Sequence, residues 1–295
     1  MIFTLTLNPC ADHYITADGV LFGKTNRAKQ SRAVFGGKGA NVSLALRNLG
    51  VESKAVLFAG GFTGEGLVSH LSNENIAFTA VKTRAETRIN TKIITKDGIT
   101  EINAPGGEIG PDELRAFTDA LDEMGADDTA VISGSVPPCA FDAVGAVLGK
   151  IGERGARLVA DMHGADLKKC LSHRPYLIKP NLEEAAELFG GKADIESAEV
   201  YAKKLADHSE YVILSLGGNG AYMCGGGKTE YLPVKNPGYE VKNTVGAGDS
   251  MIAGFLYGEA HGENRLVCAV SAGSATAYSD GICDMETFEK IKKLY

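Results

Sequence analysis

Thr244-Val245-Gly246-Ala247-Gly248-Asp249-Ser250 runs directly into Met251-Ile252-Ala253-Gly254-Phe255-Leu256. The first stretch is a turn of small residues, and the second has the pattern of a buried helix. Small residues let the backbone come close to a ligand. The first amides of a helix have no internal acceptors, so such an entry binds anions through free N–H groups and the positive end of the helix dipole. Asp249 stands at the mouth of that anion site. A carboxylate beside a place where negative charge gathers points to phosphoryl transfer, the loop holding the moving phosphate and the acid taking a proton from the attacking hydroxyl. The same residues read equally as a helix cap, since Asp and Ser are common there. The rest of the chain has to decide.

Outward from this turn, short apolar runs alternate with helical patterns. Strands are expected at 54–59, 129–133, 157–161, 176–178 and 211–216, and helices at 65–73, 111–124, 141–154, 182–189 and 197–208. Alternation of this kind implies βαβ units, a mostly parallel sheet and helices on both of its faces. Residues 1–7 read as a further strand rather than a signal peptide, because no basic n-region precedes them. Two segments break the pattern, 13–34 and 88–103, and both carry β-type residues. The second reads as a hairpin around Asp97-Gly98. Together they predict a small sheet projecting from a single α/β domain, with an apolar face that needs a lid role or a dimer contact to cover it.

The 295 residues suffice for one large domain, and 30 basic against 37 acidic residues give a net charge of −7, which suggests no nucleic-acid or membrane-surface role. The six cysteines are scattered with no metal-ligand spacing, which reads as reduced thiols in the cytosol. The longest uncharged stretch, 211–227, is broken by glycines and does not resemble a membrane span.

Five more constellations carry chemistry. Gly36-Gly37-Lys38-Gly39-Ala40-Asn41 opens a helical stretch, and Asn41 offers donors and acceptors to hydroxyls; a plain turn with a cap is the competing reading. Asp12, in Asn8-Pro9-Cys10-Ala11-Asp12, is expected at the end of the first parallel strand, where open α/β sheets place ligand contacts, or else in an Asx-turn. Arg88, Asn90 and Lys92 share one face of a strand, suited to a phosphate or simply to solvent. Lys179-Pro180-Asn181-Leu182-Glu183-Glu184 closes a strand and opens a helix. Asn181 and Glu184 fit a capping box, or Glu184 a Mg²⁺ site through water with Lys179 near phosphates. Finally, the loop from Ser215 through Gly217 to Gly220 suits a nucleotide or an ordinary hairpin. Neither a Walker A sequence nor a dinucleotide fingerprint is present, which disfavours a Rossmann dehydrogenase.

In this order the pieces resemble the ribokinase/PfkB family of carbohydrate kinases, on the strength of the GGKGxN pattern at 36–41 and TVGAGDS at 244–250. Asn8 to Asp12, Asn26-Arg27, Thr87 to Lys92, Ser133 to Pro138 and Lys179 to Glu184 are similar to its phosphosugar branch. Where that branch more often reads NPALD, this chain has Asn-Pro-Cys-Ala-Asp. The resemblance implies a Rossmann-like (ribokinase-like) core with a β-sheet lid, a homodimer through that lid, and ATP with Mg²⁺. It implies Asp249 as catalytic base with Gly246, Ala247 and Gly248 as anion hole. Asp12, Gly37, Lys38, Asn41 and Ser135 would hold the sugar, and Arg88 its existing phosphate, with Lys24, Arg27 or Lys92 as helpers. Lys179, Asn181 and Glu184 would serve the ATP phosphates and Mg²⁺, with Ser215, Gly217 and Gly220 by the nucleotide. The expected reaction is ATP-dependent phosphorylation of a ketohexose phosphate, fructose 1-phosphate first, with tagatose 6-phosphate and fructose 6-phosphate as alternatives. A silent sugar-phosphate sensor is the reading from a different class. Asp249, near a helix N-terminus, is expected to be a weak base.

Overall fold

The computed structural model describes the chain from Met1 to Tyr295. Its strands are β1 (Ile2–Thr6), β2 (Cys10–Thr16), β3 (Gln30–Gly36), β4 (Ser53–Ala59), β5 (Ala77–Lys82), β6 (Arg88–Thr95), β7 (Gly98–Ile102), β8 (Thr129–Ser133), β9 (Arg157–Asp161), β10 (Leu177–Ile178), β11 (Tyr211–Ser215), β12 (Ala221–Gly225) and β13 (Lys228–Leu232). Nine of them form one sheet in the order β13-β12-β11-β10-β9-β8-β1-β4-β5. Pairing is parallel from β11 across to β5, while β12 and β13 add an antiparallel edge. The central strands are apolar without alternation because helices cover both faces. Ala130 and Ile132 face one core and Val131 the other; on β9, Leu158 and Ala160 oppose Val159 in the same way.

The helix expected at 182–189 is found as Leu182–Phe189, and the other expected helices are present with shifted ends: Gly61–Asn73, Ala143–Arg154, Ile195–Ala206 and Ala247–His261. The stretch expected as one helix at 111–124 is an α-helix only over Pro111–Asp119, and Ala120–Glu123 continues as a 3₁₀ turn. Three helices stand outside the sequence expectations, Gly164–Ser172, Arg265–Tyr278 and Met285–Lys292. Arg265–Tyr278 packs closely on Ala247–His261: a Cβ at Gly254 would lie 2.3 Å from the Cys268 carbonyl oxygen. Small residues there let two buried helices touch along their backbones.

The second sheet, in the order β3-β2-β6-β7, is separate from the first and is the one expected as a lid. It begins earlier than expected, at Cys10, since the chain leaves the main sheet through Leu7-Asn8-Pro9 and enters β2 at once. Residues 17–29 of the first expected lid segment carry no strand and connect β2 to β3. The β6–β7 hairpin turns at Lys96-Asp97-Gly98 as expected, with Gly98 at φ 134°. Cys10 pairs with Arg88, Asp12 with Asn90 and Tyr14 with Lys92, so these six side chains share one lid face.

Candidate active site

Four neighbouring parallel strands end on one row of polar side chains. Register places Thr6 at the end of β1 beside Ser133 of β8, Ser133 beside Asp161 of β9, and Asp161 beside Lys179, the residue following β10. All four are at most 5% exposed. Carboxyl ends of parallel strands are where such sheets collect ligand contacts. Asp12 is not among them: it lies inside β2, on the lid, because β1 has already ended at Thr6.

Two helix N-termini meet above this row. The helix Lys38–Asn48 is capped by Gly37 at φ 139°, where a Cβ would meet Thr6 Cγ2 at 2.8 Å, so only glycine lets the turn settle on the strand end. The helix Ala247–His261 starts from Gly246 at φ 81°. Asp249 is therefore the third residue of that helix and not its N-cap. Its carboxylate turns to the other helix, where Asn41 Nδ2 donates to Oδ2 at 2.8 Å.

Charges cluster at the floor. Lys38 Nζ lies 3.2 Å from Asp161 Oδ2, and Lys179 Nζ lies 3.3 Å from Asp161 Oδ1. Burial works against ionisation of Asp161, but Lys179 and Lys38 outweigh it and hold its carboxyl below the usual carboxylate range. For Lys38, too, burial opposes the charge, and Asp161, Asp249 and Glu184 more than offset it, so the ammonium is held above the lysine range. Asp249 behaves oppositely: burial, then the nearby Asp161, push it up to about 6, against Lys38, Asn41 and Lys179. The expectation of a weak base is thus corrected. Burial beside a second carboxylate outweighs the helix dipole.

The lid's polar face closes the other side. Asn90 Nδ2 donates to Asp12 Oδ1 at 3.0 Å, and Cys10 Sγ sits 3.6 Å from the same oxygen. The Arg88 guanidinium donates to the Ala104 and Asn8 carbonyls at 2.8 and 3.2 Å, leaving Nε without a partner. Lys92 Nζ pairs with Glu101 at 3.0 Å, and Ser135 Oγ accepts from Asn8 Nδ2 at 3.1 Å.

Between floor and lid is a cavity of about 440 Å³ that brings together Asp12, Gly37, Lys38, Asn41, Arg88, Ser135, Lys179, Gly246, Gly248 and Asp249. Arg88 and Asp249 thus face one space. Ala247, Asn181, Glu184, Ser215, Gly217 and Gly220 do not line it. The last five follow the carboxyl ends of β10 and β11 next to Lys179, tied by a bridge between Asn181 and Ser215. Gly217 and Gly220 form the tight turn of the β11–β12 hairpin, and a Cβ at Gly220 would lie 2.0 Å from the Leu232 carbonyl oxygen. Arg27 stands exposed in the 17–29 connection, away from the cavity, because that connection lies beyond the lid strands. Lys24 is exposed on the same stretch. Asp161, Thr6 and Ser133 line the site but were missed. The rule that ligands gather at carboxyl strand ends, applied to 157–161, would have found Asp161.

Asn181 and Glu184 form the capping box: Asn181 Oδ1 accepts from the Glu184 amide at 2.7 Å, and Glu184 Oε2 from the Asn181 amide at 2.9 Å. Asp161 Oδ2 accepts from Lys38 while its Oδ1, near Lys179, has no hydrogen-bond partner, Asp249 is held by Asn41, and no group of three His, Cys, Asp or Glu side chains is placed to hold an ion. This donor set fits a divalent ion that arrives with nucleotide phosphates, not one caged beforehand.

The sequence model described as pfkB family carbohydrate kinase matches residues 6–278. The chain belongs to this family. Over its whole length it is 36% identical to the 1-phosphofructokinase of Bacillus subtilis, covering 97% of that protein. It is 32% identical to the D-tagatose-1-phosphate kinase of Bacillus licheniformis, with 98% of this chain and 97% of the relative covered. Among solved structures, phosphofructokinase-2 from Escherichia coli in complex with substrates and products superposes with a TM-score of 0.91 at 27% identity, over 99% of this chain and 98% of that one. The nine-stranded core with its separate small sheet is the ribokinase-like fold of pfkB kinases. Members of a carbohydrate kinase family are phosphotransferases with an alcohol group as acceptor.

Proposed function

We propose that the protein transfers the γ-phosphoryl group of ATP to the free hydroxymethyl group of a ketohexose phosphate, fructose 1-phosphate giving fructose 1,6-bisphosphate, ADP and a proton. One observation carries this reading: the buried Asp249, set in the first turn of a helix, and the cationic lid face with Arg88 border the same cavity. Asp249 would accept the proton of the attacking hydroxyl while the amides of the 246–248 turn take the developing phosphoryl charge. Asp12, Gly37, Lys38, Asn41 and Ser135 would hold the sugar, and Arg88, with Lys92 behind it, the phosphate already present. Lys179, with Asn181, Ser215, Gly217 and Gly220 on the adjacent edge, would face the ATP. Mg²⁺, carried by its phosphates, would neutralise their charge, and Glu184 would hold it through water. The choice of a 1-phosphate is supported by two relatives, named for fructose 1-phosphate and tagatose 1-phosphate chemistry.

A homodimer through the lid is part of this reading. Leu21, Phe22, Ile89, Ile99 and Ile102 are large apolar side chains exposed on and around the lid, a second copy would cover them, and Arg27 on the same connection would then reach a substrate only in the partner's site. The six unpaired cysteines, five of them buried, support a reducing cytosolic location. The deciding experiment couples ADP formation to NADH oxidation with fructose 1-phosphate, tagatose 1-phosphate, tagatose 6-phosphate and fructose 6-phosphate in turn. Highest kcat/KM on fructose 1-phosphate is expected. Binding of these sugars without any ADP formation would mark a silent sensor instead.

A further inference from the structure

Asn90 lines the cavity beside Arg88 and Lys92, on the lid face that strand period alone would offer to a phosphate. Its amide is engaged differently. Oδ1 accepts from the Ala104 backbone amide at 3.2 Å, and Nδ2 donates to Asp12 Oδ1 at 3.0 Å. Three elements meet here: Asp12 on β2, Asn90 on the parallel neighbour β6, and Ala104 in the connection that follows β7. Ala104 is itself fastened, because its carbonyl accepts from Arg88 at 2.8 Å. Asn90 is buried, so water does not compete freely for these bonds. The Ala104 N–H requires the oxygen end of the amide, which turns the nitrogen end to β2, where a carboxylate suits it. Asp12 Oδ1 also receives the Cys10 thiol at 3.6 Å. One carboxylate oxygen is therefore held from two sides, and Oδ2 accepts from no group of the protein.

We propose that Asn90 is a positioning residue for the sugar: pinned by Ala104, it fixes the Asp12 carboxylate so that Oδ2 is left for a hydroxyl, and it grips no phosphate itself. The role of Asp12 rests on the kinase reading, whereas the chain of bonds from Arg88 through Ala104 and Asn90 to Asp12 does not. A carboxylate fixed before the ligand arrives loses little rotamer freedom on binding. Acting through Asp12, Asn90 bears on hydroxyls, which fructose and fructose 1-phosphate share. Arg88, by contrast, bears on the phosphate that only one of them carries.

The test is a double-mutant cycle on the full chain, read by calorimetry with fructose 1-phosphate in the absence of ATP. Asn90→Ala is expected to raise Kd about tenfold, the scale of one hydrogen bond to a charged group. In an Asp12→Ala background the same substitution is expected to change Kd by less than about twofold, the margin within which independent effects add. Turnover of unphosphorylated fructose, as kcat/KM, should fall by a similar factor to that of the phosphosugar, and the Kd for ATP should hold. Equal losses in both backgrounds, or a loss confined to the phosphosugar, would make Asn90 a direct ligand and overturn the proposal, as would an unchanged Kd in Asn90→Ala. A crystal structure of ligand-free Asn90→Ala gives a readout without any sugar. Asp12 is expected to leave its wild-type rotamer, and an Asp12 still in place overturns the proposal. Should Asn90→Ala fail to fold, Asn90→Asp keeps the acceptor for Ala104 but sets a second carboxylate against Asp12. The same displacement of Asp12 is then expected, and an unmoved Asp12 again overturns it. A wild-type protein that binds these sugars but forms no ADP would end the kinase reading and leave the cycle and the Asp12 rotamer to decide the role of Asn90.

Discussion

Asn41 holds Asp249: the side-chain amide of the first helix of the chain donates to the carboxylate of the late glycine turn at 2.8 Å, across a sequence separation of 208 residues. The two motifs that carry the family resemblance are therefore joined by a hydrogen bond as well as by a shared cavity. One amide hydrogen of Asn41 is spent on the base, and the sequence reading had given that side chain wholly to the sugar. The bond favours the ionised carboxylate. Asn41→Ala is expected to move the acid limb of kcat/KM to higher pH by about one unit, the scale of one hydrogen bond to a charged group. A pH–rate profile in which the limb stays in place would show that the bond does not tune Asp249.

Asp249→Asn removes the base but keeps the volume and an acceptor for Asn41. A kcat lower by about 10²–10⁴ is expected, the range for a lost general base, with the Kd for ATP nearly unchanged by calorimetry. Turnover near wild type would remove Asp249 from the role.

The same substitution has an opposite effect on stability. The folded-state pKa of Asp249 is raised from 3.8 to about 6. Below pH 3.8 both folded and unfolded chains hold the proton, and the group contributes no difference. As pH rises from 3.8 to about 6 the unfolded chain ionises first, so stability is progressively lost, and above about 6 the loss is complete. At roughly 1.4 kcal/mol per pH unit the loss is on the order of 2–3 kcal/mol, with the attraction of Lys38 and Lys179 already included in the raised value. Asp249→Asn should thus raise Tm at pH 8 and show no gain near pH 4. Thermal scans at the two pH values check the sign.

Much of this was open to reading in the sequence, for local reasons. Glycines at 37 and 246 sit at positive φ where helices begin, and that requirement is written in the residue type. The common face of Arg88, Asn90 and Lys92 follows from strand period alone. What escaped was set by tertiary pairing. Asp12 looked like a strand-end residue because nothing local shows that the chain changes sheets at Asn8-Pro9. Asp161 looked like the last residue of a buried strand, and its two lysines come from distant segments. The basicity of Asp249 was misjudged because the helix dipole is local and the burial that outweighs it is not.

Two glycines of the site are expected to answer alanine differently. A Cβ at Gly39 would lie 2.4 Å from Thr6 Oγ1 and 2.9 Å from the Leu5 carbonyl, both fixed at the end of β1. A Cβ at Gly248 would meet only the flexible end of Lys179, at 3.0 Å from Nζ. Gly39→Ala should destabilise by about 1–3 kcal/mol, as overpacking against backbone does, measurable by urea denaturation. Gly248→Ala should fold nearly normally but raise KM for ATP, since Lys179 must move. A Gly248→Ala protein with an unchanged KM for ATP would detach Lys179 from the nucleotide.

Arg88 decides between a phosphosugar and a neutral sugar. Its guanidinium is fixed by two backbone carbonyls and still has donors left over, Nε among them, next to Asn90 and Lys92. A guanidinium held this way can grip a phosphate without paying much side-chain entropy. Removing one charge-assisted contact costs about 1.5–3 kcal/mol, so Arg88→Ala should raise KM for fructose 1-phosphate by roughly 10–100-fold. The same variant should change turnover of unphosphorylated fructose far less, because that sugar brings nothing for the guanidinium to hold. Steady-state kinetics on both sugars give the comparison directly. Equal losses on the two would mean that Arg88 supports the lid through the Asn8 and Ala104 carbonyls and reads no phosphate, and the substrate would then belong among neutral sugars.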